Sequence, residues 1–210
     1  MSPTDLIPDL TLFAQVFVTV LVIMDPLGNV PLFLSLTRGD TLERQRVAAF
    51  QAVCVAGGVI LLFALFGQTL LDLLGISLEA LQVAGGLLLV LIALELLRPE
   101  TGIEESQAAG NNVALVPLGT PLLAGPGAIA ATMLAIRGAD SPGQVIGVVL
   151  ALVAVLAVVY LSMRYAPLLL RLLKDNGINL ITRVMGLLLA AIAVQLIASA
   201  IQVWIRTGVG

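Results

Sequence analysis

The chain has 210 residues, 60% of them hydrophobic and 11% charged, with a formal net charge of −3 and no histidine. Too few polar residues remain to coat a soluble domain, so the composition leaves an all-α polytopic membrane protein. Missing histidine removes the commonest transition-metal ligand and general base, the lone Cys54 excludes a disulfide framework, and the weak negative charge gives no footing for nucleic acid.

The opening "MSPTDLIPDL" has no Lys or Arg, which makes a poor signal peptide, so the first helix is expected to be retained. Six stretches approach the ~20 apolar residues that cross a bilayer. They are roughly Leu10–Thr37, Val47–Phe66, Leu78–Leu97, Val113–Ile136, Val145–Met163 and Val184–Ile205. The connections are short, so residues 1–210 read as a single transmembrane domain.

The first stretch contains "IMDPLGNVPLF" (Ile23 to Phe33), whose Pro26, Gly28 and Pro31 interrupt a helix. Asp25 is the only acidic side chain expected near the middle of a span, where carboxylates are costly and functional by default. It reads as a partner for a substrate ammonium, Na⁺ or H⁺. Asp-Pro is also an N-cap and first-turn pair, so Asp25 capping a helix that restarts at Pro26 is the competing reading, and both roles can coexist. Asn29 has the same two readings, ligand or cap.

In the second stretch Cys54 reads as a small packed residue, and Gly57-Gly58 as a site of close helix packing. In the third, Gly85-Gly86 reads likewise, and Gln82 reads as an inter-helix hydrogen-bonder, as does Gln195 in the sixth. Glu79 and Glu95 fall near the interfaces, with Glu95 spaced to pair with Arg98.

The fourth stretch carries "VPLGTPLLAGPGAIA" (Val116 to Ala130), where Pro117, Pro121 and Pro126 with Gly119, Gly125 and Gly127 forbid a continuous helix. Thr120 lies inside this break. Thr132 reads as bonding its own helix backbone. Irregular backbone at membrane depth survives only in protein or beside water, so both breaks are expected to meet inside the bundle. The restarted helices would offer N–H groups to a carboxylate, and the ended ones carbonyls to a cation or ammonium. Gly28, Gly125 and Gly127 would let a ligand approach the backbone closely, with Ala128 next in line.

At an offset of 100, "QVAGGLLLVLIALELL" (Gln82–Leu97) matches "TRVMGLLLAAIAVQLI" (Thr182–Ile197), with Gly86/Gly186, Leu89/Leu189 and Ala93/Ala193 among the identities. At an offset of 99, Gly28 meets Gly127 and Arg38-Gly39 meets Arg137-Gly138. Residues 8–98 and 112–206 therefore read as two three-helix repeats. Three is odd, so the second copy enters the membrane inverted, an arrangement of transporters whose broken helices carry the site. The connections after stretches one, three and five hold eight basic residues against two on the other side, which makes them cytoplasmic and puts both termini outside.

"DPLGNVPLFLSLT", "VPLGTPLLAGPGAIA", "GISLEALQVAGGLLLVLIALELL" (Gly75–Leu97) and "GINLITRVMGLLLAAIAVQLI" (Gly177–Ile197) resemble the MarC family of integral membrane proteins, also classed as neutral amino acid transporters. The resemblance implies a six-helix prokaryotic inner-membrane protein that carries glycine- or alanine-like substrates, driven by Na⁺ or H⁺, with no other cofactor. It implies that Asn is also usual at the position of Asp25, and it does not transfer a role to Thr120. The expected substrate-binding set is Asp25, Pro26, Gly28, Asn29, Thr120, Gly125, Gly127 and Ala128, with Na⁺ at backbone carbonyls near Asp25. A homo-oligomer is open. An exporter with the same fold and an ion or solute channel are the rival functions. An enzyme is not expected, since acid–base work needs partnered groups.

Overall fold

The computed structural model describes residues 9–97 and 123–208. Among them are seven helices and no strand: α1 (Leu10–Met24), α2 (Asn29–Leu36), α3 (Leu42–Leu74), α4 (Leu78–Leu97), α5 (Pro126–Arg137), α6 (Pro142–Arg164) and α7 (Ala166–Thr207). Every apolar stretch of the sequence holds a helix. Four segments are long and apolar enough to cross a membrane by themselves: α3, α4, α6 and the Leu180–Thr207 part of α7. α1 and α2 form a fifth candidate span, bent by 46° between them. α5 has 12 described residues, about 18 Å of helix and short of a span. The expected fourth stretch starts at Val113, and its residues 113–122 lie outside the described residues.

Two boundaries differ from expectation. α3 runs past both ends of Val47–Phe66 and stops where Gly75 takes the left-handed conformation at φ +66. α7 begins at Ala166, well before Val184, because Tyr165 interrupts the chain and helix then continues through Gly177. The similar strings "GISL" and "GINL" therefore behave differently.

Polar side chains close the helix ends at the faces. Thr41 accepts from Arg44 N at the start of α3, and Ser141 accepts from Gln144 N at the start of α6. Asp9 caps α1 through Thr11 N at 2.9 Å and Leu12 N at 3.1 Å. Gln144 Nε2 also donates to Asp9, tying the start of α1 to the start of α6. The Leu12 N–H, then the Gln144 amide, hold the Asp9 carboxyl below its ordinary range.

The longest seam is α4 against α7. A Cβ on Gly86 would lie 3.0 Å from the Ala193 carbonyl oxygen, and one on Gly186 would lie 3.3 Å from the Ala93 carbonyl oxygen. The contact is reciprocal: residue 86 meets 193 as 93 meets 186, so the two helices cross antiparallel. Leu89 and Leu189 are both buried between these pairs. Around this seam α1 packs on α6, α3 on both α5 and α6, α5 on α4 and α1, and α2 on α7. Exchanging α1–α2 with α5, α3 with α6 and α4 with α7 maps these pairings onto one another.

Large apolar side chains such as Leu61, Leu65, Leu87, Leu91, Val153 and Leu187 cover the outer faces, as a lipid-facing belt requires. Cys54 is exposed on α3, not packed inside as expected. Of the glycine pairs, a Cβ on Gly85 would lie 3.0 Å from the Pro126 carbonyl oxygen and one on Gly57 would lie 2.9 Å from Leu156 Cδ1, but one on Gly58 would meet open space.

Gly86→Ala should therefore destabilise by about 1–3 kcal/mol through overpacking against backbone. Gly58→Ala should be neutral or stabilising by up to ~1 kcal/mol. Thermal melts of the purified variants in detergent check both; an unchanged Gly86→Ala would contradict the close crossing.

Candidate functional site

The first break turns on one residue. Asp25 ends α1 with φ +39, the only described non-glycine residue at positive φ. That conformation costs about 1 kcal/mol in an L-residue, and Asp tolerates it better than most. Its N–H donates to the Leu21 carbonyl at 3.0 Å and the Val22 carbonyl at 3.3 Å, closing the end of α1. Its own carbonyl accepts from Asn29 N at 3.1 Å, and its carboxylate Oδ1 accepts from Gly28 N at 3.1 Å. Asp25 therefore caps both sides of the break.

Regular helix resumes at Asn29, three residues later than Pro26, after a turn over residues 26–28. Pro26 fits here because that turn asks nothing of its missing N–H. Gly28 is required by space: a Cβ would approach the Asp25 carboxylate, with Cγ at 2.7 Å. Asn29 is buried, and its Nδ2 donates to the Met24 carbonyl at 2.7 Å. Asp25 thus does the capping that competed with a ligand role, whereas Asn29 closes the end of α1 and not the restart expected of it. Among the described residues Gly28 N is the sole donor to the buried Asp25 carboxylate, which leaves Oδ2 open.

The second break is built differently. Gly125 occupies the N-cap of α5 in an extended conformation and has no side chain to cap with; Pro126 is the first helical residue. Ile129 N bonds the Gly125 carbonyl at 3.1 Å. Ahead of it, the N–H groups of Gly127 and Ala128 have no acceptor among the described residues, although both residues are buried. Free N–H groups at a helix start are met by side chains, by water or by an anionic group. The space a Cβ of Gly127 would take, expected to admit a ligand, is filled by Leu89 at 2.7 Å. It is a packing glycine whose N–H remains available. Thr120 lies outside the described residues.

The residues flanking the two breaks share one buried cluster. Val22, Ile23, Met24 and Val30 from the first join Leu123, Ala124, Ala128 and Ala131 from the second. The two helix starts differ electrically. At α2 the first donors are taken within the break, Gly28 N and Asn29 N by Asp25 and Val30 N by the Leu27 carbonyl, which leaves no donor there for the carboxylate expected at that restart. The first break instead carries a buried carboxylate.

Two other polar residues, Thr132 and Gln195, depart from expectation. Thr132 does not bond its helix backbone; its buried Oγ1 has no partner among the described residues, and neither has Gln82 Oε1. Gln195 bonds Ser199 on its own helix, not a neighbouring helix. Arg98, the expected partner of Glu95, lies outside the described residues. The open N–H groups of α5 are the feature that sequence reasoning could reach, because Gly-Pro-Gly offers no capping side chain. The Asn29 bond to Met24 carries no comparable sequence signal.

Residues 10–205 match the model of the MarC family integral membrane proteins. A UPF0056 membrane protein of Methanocaldococcus jannaschii is 40% identical over 200 residues, covering 92% of this chain and 98% of its own length. The UPF0056 inner membrane protein YhgN of Escherichia coli is 33% identical over 190 residues, covering 90% and 95%. The UPF0056 membrane protein YvbG of Bacillus subtilis is 32% identical over 196 residues, covering 90% and 93%. No solved structure matches.

Gly28→Ala should push the Asp25 carboxylate off its cap and cost about 1–3 kcal/mol. Thermal melts in detergent read this directly, and a melt equal to wild type would contradict the double-capped hinge.

Proposed function

We propose that this chain, which belongs to the MarC family of integral membrane proteins, is a secondary transporter of small neutral amino acids that binds the zwitterion between its two helix breaks. The observation that carries this reading is the opposite polarity of the breaks within one buried cluster. Among the described residues, one presents a carboxylate oxygen of Asp25 without a donor, the other two N–H groups without an acceptor at Gly127 and Ala128. A substrate carboxylate suits the start of α5, where partial positive charge accumulates. Its ammonium suits Asp25 and the end of α1. Gly125 shapes the α5 start; Pro26, Gly28 and Asn29 hold Asp25 in place. The small apolar surroundings favour glycine- or alanine-sized side chains.

The architecture we propose is six helices in two inverted repeats, residues 8–98 and 112–206. The reciprocal Gly86–Ala193 and Gly186–Ala93 contacts support it, as does the closure of the helix pairings under exchange of the halves. Both termini would face outward, with the basic connections in the cytoplasm of a prokaryotic inner membrane. Coupling would come from Na⁺ at break carbonyls or H⁺ on Asp25. Transport would then proceed by alternating access, with net direction following the gradients.

Purified protein in liposomes should take up labelled glycine or alanine under an imposed Na⁺ or H⁺ gradient. Asp25→Asn keeps the oxygen that accepts from Gly28 N but removes the charge. A charge-assisted hydrogen bond contributes about 1.5–3 kcal/mol, so KM should rise roughly tenfold or more. Asp25→Ala should abolish uptake while the protein still folds. Wild-type uptake by Asp25→Ala would sink the carboxylate role, and no uptake of any neutral amino acid would sink the reading.

A further inference from the structure

A cleft of about 290 Å³ opens between α1, α5 and α7. Val20 and Ala131 are its lining residues nearest the two breaks along α1 and α5, and both are buried. Val20 is five residues before Asp25 and Ala131 four after Gly127, about 7.5 and 6 Å of helix rise. The cleft therefore ends within roughly two helical turns of both breaks. Its other end lies near the start of α1, on the side that holds the chain termini.

Four polar side chains line the cleft, and the rest of its wall is aliphatic. Gln15 and Thr19 stand one turn apart on α1, and Gln195 and Ser199 stand one turn apart on α7. Gln195 Nε2 donates to Ser199 Oγ at 3.1 Å, and that hydroxyl donates to the Gln195 carbonyl at 2.8 Å. The Gln195 amide oxygen accepts from nothing among the described residues. Gln195 precedes the end of α7 at Thr207 by about 18 Å of helix rise, deep within a hydrocarbon zone ~30 Å thick. A carboxamide facing acyl chains at that depth would lose its hydrogen bonds. Polar groups inside a membrane face protein or a wet cavity. Two glutamines with a threonine and a serine around one opening point to water.

We propose that this cleft is the water-filled outer half of the translocation route. Val20 and Ala131 close it above the breaks, and Gln15, Thr19, Gln195 and Ser199 give a small zwitterion hydrogen bonds on its way down. The proposal rests on the transporter reading and on its orientation. Leu187 and Val18 face outward from the same helices and serve as lipid-facing controls.

The test uses single cysteines in a Cys54→Ala background: Gln15→Cys, Thr19→Cys and Ser199→Cys, with Val18→Cys and Leu187→Cys as controls. A charged, membrane-impermeant thiol reagent is added outside intact cells, and loss of the free thiol is read by mass. Thr19→Cys and Ser199→Cys are nearly isosteric, so these two positions preserve the fold and keep the test decisive if Gln15→Cys disturbs it. The thiol should be lost at the three cleft positions and kept at the two controls. Retention at all three would mean that an acyl chain fills the cleft and would overturn the proposal. So would loss only from the cytoplasmic side, or a disulfide-linked dimer through Gln15→Cys, which would put a second copy over the opening. The labelling needs no substrate. A labelled cleft with no uptake sinks the transporter reading alone; an unlabelled cleft with uptake sinks the route alone.

Discussion

A backbone N–H or C=O turned toward hydrocarbon forfeits several kcal/mol, and this protein ends helices in the middle of its apolar stretches. Everything around the two breaks follows from how those polar groups are met. At the first, Asp25 receives most of the burden, taking up its own N–H at the end of α1 and offering carbonyl and carboxylate oxygens to the turn before α2. Asn29 covers the Met24 carbonyl. At the second, the sequence Gly-Pro-Gly leaves the start of α5 uncapped. Among the described residues, one break is nearly self-satisfied with a carboxylate oxygen left without a donor, and the other keeps two N–H groups without an acceptor. That asymmetry, not the breaks as such, is what a zwitterion would recognise.

The frame that holds the breaks is the crossing of α4 and α7. Lipid gives helices no hydrophobic reason to associate, so close backbone approach over small residues does the work. Gly86 and Ala93 on one helix meet Ala193 and Gly186 on the other, with Leu89 and Leu189 buried at the centre. Leu89 also fills the space beside Gly127, so the same helix face that makes the crossing fixes the start of α5. Gly85 and Leu89 of α4 therefore couple the crossing to the start of α5.

Much of this was legible in the sequence because apolar runs and Pro/Gly interruptions act locally. The helices, the two breaks and the correspondence of Gly86 with Gly186 all come from residue type and spacing. What the sequence withheld depends on direction in space. Nothing in "DPLGN" distinguishes an aspartate that caps a restarting helix from one that caps both sides of a bend. Nothing in "AGPGA" shows that Leu89 occupies the room beside Gly127. Gly75 and Gly177 look alike in their strings, yet only the first takes positive φ and stops a helix. Gln15, Thr19 and Ser199 fall in apolar runs with no break to mark them. Their one-turn spacing on α1 and α7 gains meaning only when those helices are side by side.

The most direct measurement compares the melting temperature of the purified protein with glycine, with methylamine and with acetate. Glycine presents both charged ends; the other two present one each. A ligand at one hundred times its Kd raises stability by about 2.7 kcal/mol. Glycine should therefore raise the melting temperature while methylamine and acetate, alone, do not. Equal shifts from acetate or methylamine, or no shift with any neutral amino acid, would contradict recognition of a zwitterion between the two breaks.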